Sequence, residues 1–107
     1  AKADSSWRKD PSKVLNRLQI AINRFKSTCN KAGIAWRIYL LFPHELENKI
    51  KDLEPSIERL ADDKYLKEIA DLQIPKDLHP NTKGHARLAT LLHQRTTAWV
   101  RSLRSSR

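Results

Sequence analysis

The chain has little of several things that would define a function class at once. Its one cysteine, Cys29, rules out an internal disulfide and a cysteine-rich metal site, so a reducing, cytoplasmic setting is the expectation. Only two glycines and five prolines occur among 107 residues, which excludes collagen-like and low-complexity classes and predicts a helix-rich globular protein. No apolar run is long enough to cross a bilayer, because the longest, Ile34 to Phe42, is short and interrupted by Arg37. No N-terminal stretch resembles a secretion signal. From residue 79 to the end there is no acidic residue at all.

What is present is charge, unevenly spread. The net charge is +9 and the isoelectric point about 10.1. Residues 1–42 carry 9 Lys/Arg against 2 acids, residues 43–78 carry 6 against 10, and residues 79–107 carry 6 against none, giving +7, −4 and +6. Two basic segments lying side by side would form a face suited to phosphate, and lying apart they would mainly provide solubility. The length predicts a single domain over 1–107.

Asp10-Pro11 predicts a helix start, with Asp10 as N-cap and Pro11 in the first helical position, and Gly33 predicts its end. Between them Val14, Leu15, Leu18, Ile22, Phe25 and Cys29 form an apolar face, while Arg17, Arg24 and Lys31 recur every seven residues on another. That basic stripe reads either as a solvated face or as a binding face. Residues 34–42, rich in aromatic and β-branched side chains, predict a buried strand that needs partner strands from elsewhere. Leu46, Ile50 and Leu53 have helical spacing, and Pro55 is expected to open a further helix carrying Ile57 and Leu60. Asp62-Asp63 marks a break or a new cap before Tyr65, Leu66, Ile69 and Leu72. A final helix, capped by Asn81 or Thr82, follows Leu88, Leu92, Thr96, Trp99 and Leu103 along one face. Arg101, Arg104 and Arg107 suit its C-terminal dipole.

Leu78-His-Pro-Asn-Thr-Lys-Gly-His-Ala-Arg-Leu-Ala-Thr-Leu-Leu92 is the stretch most suggestive of a chemistry. It resembles the last block of the SGNH (GDSL) ester-hydrolase superfamily. The resemblance implies an α/β, helix-rich fold: part of a flavodoxin-like three-layer sandwich with one strand at 34–42. The alternative is a small, mostly α-helical bundle. It also implies His79 as general base, Pro80 and Asn81 shaping its loop, Gly84-His85 opening the last helix, and ester or acyl hydrolysis without a metal cofactor. The family places the orienting carboxylate three residues before the histidine, a position held here by Lys76, so Asp77 is the candidate partner of His79. The family's Gly-Asp-Ser nucleophile block and its oxyanion blocks are absent, and neither Ser5 nor Ser6 has the strand and glycine that would present a nucleophile. The resemblance thus implies that residues 1–107 are the C-terminal part of a larger domain, and an SGNH-like C-terminal half, catalytically incomplete as an isolated chain, is the leading expectation.

Two other classes remain open. A small basic nucleic-acid-binding protein, either an RNA-binding module or a ribonuclease, would hold RNA or DNA phosphates through Arg17, Arg24, Lys31, Lys83, Arg87 and Arg95, with Trp7 free to stack. A structural subunit would instead meet a partner chain completing the sheet. His79, His85 and His93, spaced by six and eight residues, with no cysteine and no acid from residue 79 onward, match no standard metal site.

Overall fold

The computed structural model describes residues 9–77 and 79–105. Its elements are α1 (Ser12–Lys31), β1 (Tyr39–Leu40), α2 (Glu47–Leu53), β2 (Glu58–Arg59), α3 (Asp63–Lys67), α4 (Ile69–Leu72) and α5 (Thr82–Ser105). They fall into two compact units. The first runs through Ile38 and resumes over Leu46–Ile57, and the second comprises Tyr39–Glu45 and everything from Glu58 onward.

In the first unit, α1 begins one residue later than expected. Asp10 does not cap it as N-cap. Its carboxylate accepts the Ser12 hydroxyl at 2.6 Å and the Ser12 N–H at 3.2 Å, while Pro11 takes the cap position and its carbonyl accepts the Leu15 N–H at 2.9 Å. At the other end Gly33 adopts φ +67°, and the Ile34 and Gly33 N–H groups bond back to the Cys29 and Asn30 carbonyls at 2.8 and 3.2 Å. This Schellman closure satisfies two carbonyls that the helix end leaves open.

Ile22 and Cys29 are buried, but Val14 and Phe25 remain 42% and 43% exposed. They stand at the margin of the apolar stripe rather than at its centre. Helix α2 packs against α1. Lys26 forms an ion pair with the buried carboxylate of Glu54, which also accepts the Ser56 hydroxyl at 2.8 Å. These donors hold the Glu54 carboxyl down at about 2, Lys26 contributing most. The Lys26 ammonium also lies 5.4 Å from the centre of the Trp36 ring.

In the second unit, β1 and β2 form a parallel pair with Tyr39 opposite Glu58 and Leu40 opposite Arg59. The ladder continues through Leu60 N–H to the Leu40 carbonyl at 2.7 Å and Ala61 N–H to the Leu41 carbonyl at 3.1 Å. Two expectations are corrected here. The strand expected over 34–42 is confined to Tyr39–Leu40, because regular pairing extends only as far as a partner runs alongside. The helix expected after Pro55 is instead a turn leading into β2. Ile57 and Leu60, three apart, fit a helical period equally well, and short apolar runs do not distinguish the two states by periodicity.

Leu60, Ala61, Tyr65, Leu72 and Leu88 form the buried core of this unit, with Tyr39, Phe42, Ile69 and Leu91 packed against it. The architecture is that of the mostly helical alternative with a small two-stranded parallel sheet, and the described residues form no three-layer sandwich. No helix among them is long and apolar enough to cross a membrane.

Candidate functional site

The loop from Gln73 to Asn81 is built to hold one histidine in place. Gln73 and Pro80 form an antiparallel bridge, with the Ile74 N–H donating to the His79 carbonyl at 3.0 Å and the Asn81 N–H to the Leu72 carbonyl at 2.8 Å. Asn81 then does three things with one side chain. Its Oδ1 accepts the Gly84 N–H at 2.9 Å, capping α5, while its Nδ2 donates to the carbonyls of Asp71 at 2.7 Å and Gln73 at 3.3 Å. The loop, the end of α4 and the start of α5 are thereby tied together.

Gly84 completes this latch by having no side chain. A Cβ there would lie 2.2 Å from the Leu72 carbonyl oxygen and 2.9 Å from the Pro80 Cβ, so α5 approaches α4 at a distance only glycine permits. The same Cβ would stand 3.1 Å from the hydroxyl of Tyr65, which is fully buried and has no hydrogen-bond partner among the described residues. Burial pushes the Tyr65 phenol up from its ordinary value, against a smaller opposing influence of Arg87.

Within the latched loop, the turn at Pro75 carries Lys76 in a left-handed conformation, φ +60°, where a non-glycine residue is under strain. That turn presents the next residue to the histidine. The Asp77 carboxylate accepts the His79 backbone N–H at 2.9 Å, and the same oxygen lies 2.5 Å from His79 Nδ1. Assigning the proton to Nδ1 makes this a donated hydrogen bond and leaves Nε2 as a free acceptor. The pair is open to solvent, the His79 side chain being 70% exposed and that of Asp77 44%. The His79 ring is tilted against Phe42, with centroids 5.9 Å apart.

Phe42 also lines a predominantly apolar cleft of about 180 Å³, together with Leu41, Leu60, Pro80, His85 and Leu88. His79 Nε2 has no hydrogen-bonding neighbour among the described residues; Ser5 and Ser6 lie outside them, as does Trp7.

The six cations considered for nucleic acid divide into two groups. Arg17, Arg24 and Lys31 are exposed on α1 and pair with no acid among the described residues. On α5 the cations are engaged: Arg87 with Glu68 at 2.7 Å, Arg95 with Glu58 at 2.7 Å, and Lys83 with Asp71 at 3.5 Å. His85 faces the apolar cleft, whereas His93 is exposed further along α5.

Reasoning from sequence missed Phe42 as the neighbour of His79, and it missed the Leu72 carbonyl as the reason for Gly84. The only available signal for the second was a lone glycine near a helix start. No protein-family model matches this chain, and comparison with curated proteins and with solved structures finds no similar protein.

Proposed function

We propose that the chain is the base-bearing portion of a serine-type ester or acyl hydrolase. The observation that carries this reading is the Asp77 carboxylate on His79 Nδ1. A carboxylate there fixes the tautomer that keeps Nε2 unprotonated, and it stabilises the imidazolium formed when Nε2 takes a proton from an attacking hydroxyl. Asp77 does from two residues away what the resembled family does from three, with the strained turn at Lys76 absorbing the difference. The nucleophilic serine and the oxyanion donors come from outside the described residues, supplied by another segment or by a partner chain. The apolar cleft next to Phe42 suits a short acyl chain, being smaller than the pockets of about 300 Å³ and above that hold drug-sized ligands.

Hydrolysis of p-nitrophenyl butyrate at neutral pH tests the reading. Even without the serine, an oriented imidazole should accelerate the hydrolysis of this activated ester. His79→Ala should remove most of the protein-dependent rate, Asp77→Asn should lower it severalfold, and His93→Ala should leave it unchanged. Equal rates for wild type and His79→Ala would overturn the proposal.

A further inference from the structure

Helix α1 carries a straight row of cations that no described residue of its own unit neutralises. Lys13, Arg17, Arg24 and Lys31 are all exposed, and none pairs with an acid among the described residues. At 100° per residue the four fall within a sector of about 40°, and at 1.5 Å rise they span about 27 Å. The row lies opposite the buried face marked by Ile22 and Cys29. Between Asp10 and Glu45 the sequence holds no acidic residue, so the row meets no opposing charge along its own helix. Lys26, which lies off the row, is the α1 cation committed to an internal partner, Glu54.

We propose that this face of α1 binds the phosphodiester backbone of a nucleic acid, without reading its sequence. Four cations in a line match a linear array of phosphates, whose condensed counterions they would release on contact. The neighbours of the row are mostly small and polar, among them Ser27 and Thr28, and Ile20 is the one large apolar side chain beside it. A helix that enters a lipid surface offers an apolar face to the membrane. In α1 the centre of the apolar face is already buried, which favours a soluble polyanion over a bilayer. The inference does not involve the His79 loop, and failure of the hydrolase reading would leave it standing.

The test is fluorescence anisotropy of the intact chain with a labelled oligothymidine and with a labelled mixed-sequence duplex. Four contacts predict a log–log salt slope of about −3 for the single strand and about −3.6 for the duplex, so affinity should fall roughly 50- to 150-fold between about 50 and 200 mM salt. Arg17→Glu/Arg24→Glu should weaken binding at least tenfold at low salt. Lys64→Glu/Lys67→Glu changes the net charge equally, on exposed residues of α3, and should weaken it less than threefold. Helical circular dichroism should be the same in both variants. If the reversal disturbs folding, Arg17→Gln/Arg24→Gln replaces it, with at least a threefold loss expected. Binding of either oligonucleotide with this pattern supports the proposal. An affinity flat in salt, equal losses in the two reversal variants, or binding only to phosphatidylserine vesicles would overturn it.

Discussion

Helices α1 and α5 are alike in sequence and unlike in electrostatic outcome. Both are long, both are amphipathic, and neither contains an acidic residue. On α5, the first turns face α4, and Glu58, Glu68 and Asp71 reach Arg95, Arg87 and Lys83. On α1, Glu54 reaches Lys26, and the row on the opposite face meets no acid among the described residues. A run of positive charge is therefore not in itself a polyanion site. What decides is whether acids from elsewhere in the chain are carried to it.

The comparison can be broken most forcefully at Gly84. Gly84→Ala places a Cβ against the Leu72 carbonyl and should destabilise the second unit by about 3 kcal/mol, read as a lowered midpoint in urea unfolding. Any protein that remains folded should have α5 moved off α4, with the Arg87–Glu68 and Lys83–Asp71 pairs opened and polyanion retention increased. An unchanged midpoint would mean that the approach of α5 to α4 is not as close as described.

The next effect concerns the Lys26–Glu54 pair of the first unit. Glu54 has its folded value lowered to about 2 from an ordinary 4.5. Because the folded value is the lower one, the stabilisation is fully present above about pH 4.5 and is lost as pH falls from there towards 2. Wild type should lose stability across that window. Glu54→Gln should be weaker at neutral pH, with the half-buried Lys26 left unpaired, and should show a flatter acid dependence. Identical acid profiles would remove the pair from the account.

The smallest effect sharpens the contrast directly. Glu58→Gln/Glu68→Gln releases Arg95 and Arg87 and should make α5 behave more like α1, steepening the log–log salt slope of oligonucleotide binding by about 1.5. The stability cost should stay within about 1 kcal/mol, since both pairs are exposed. An unchanged slope would show that α5 does not approach the polyanion even when its cations are free.

Legibility in the sequence followed the range of the interactions concerned. The span of α1 to within one residue, and a cap for α5 at Asn81 or Thr82, are readable because their determinants lie within a few residues, and Asp62 likewise caps α3 through the Tyr65 N–H at 2.9 Å. The second strand was not readable, because Glu58–Arg59 is a strand only by virtue of Tyr39–Leu40 alongside it. The His79 loop is intermediate. Its Pro-Asn and Gly-His pattern marked it as special, whereas the position of Asp77 against Nδ1 depends on a left-handed turn at Lys76 that no residue preference announces.

By itself the sequence determined the excess and placement of positive charge, the long amphipathic helices and their termini, and the histidine loop, because capping, periodicity and turn chemistry act over one or two turns of chain. Only the tertiary structure decided which cations are neutralised, which strand pairs with which, and why Gly84 has no side chain. The partners concerned lie 19 residues apart for Arg87 and Glu68 and 37 for Arg95 and Glu58, and no local preference sets a separation that the packing of the whole unit defines.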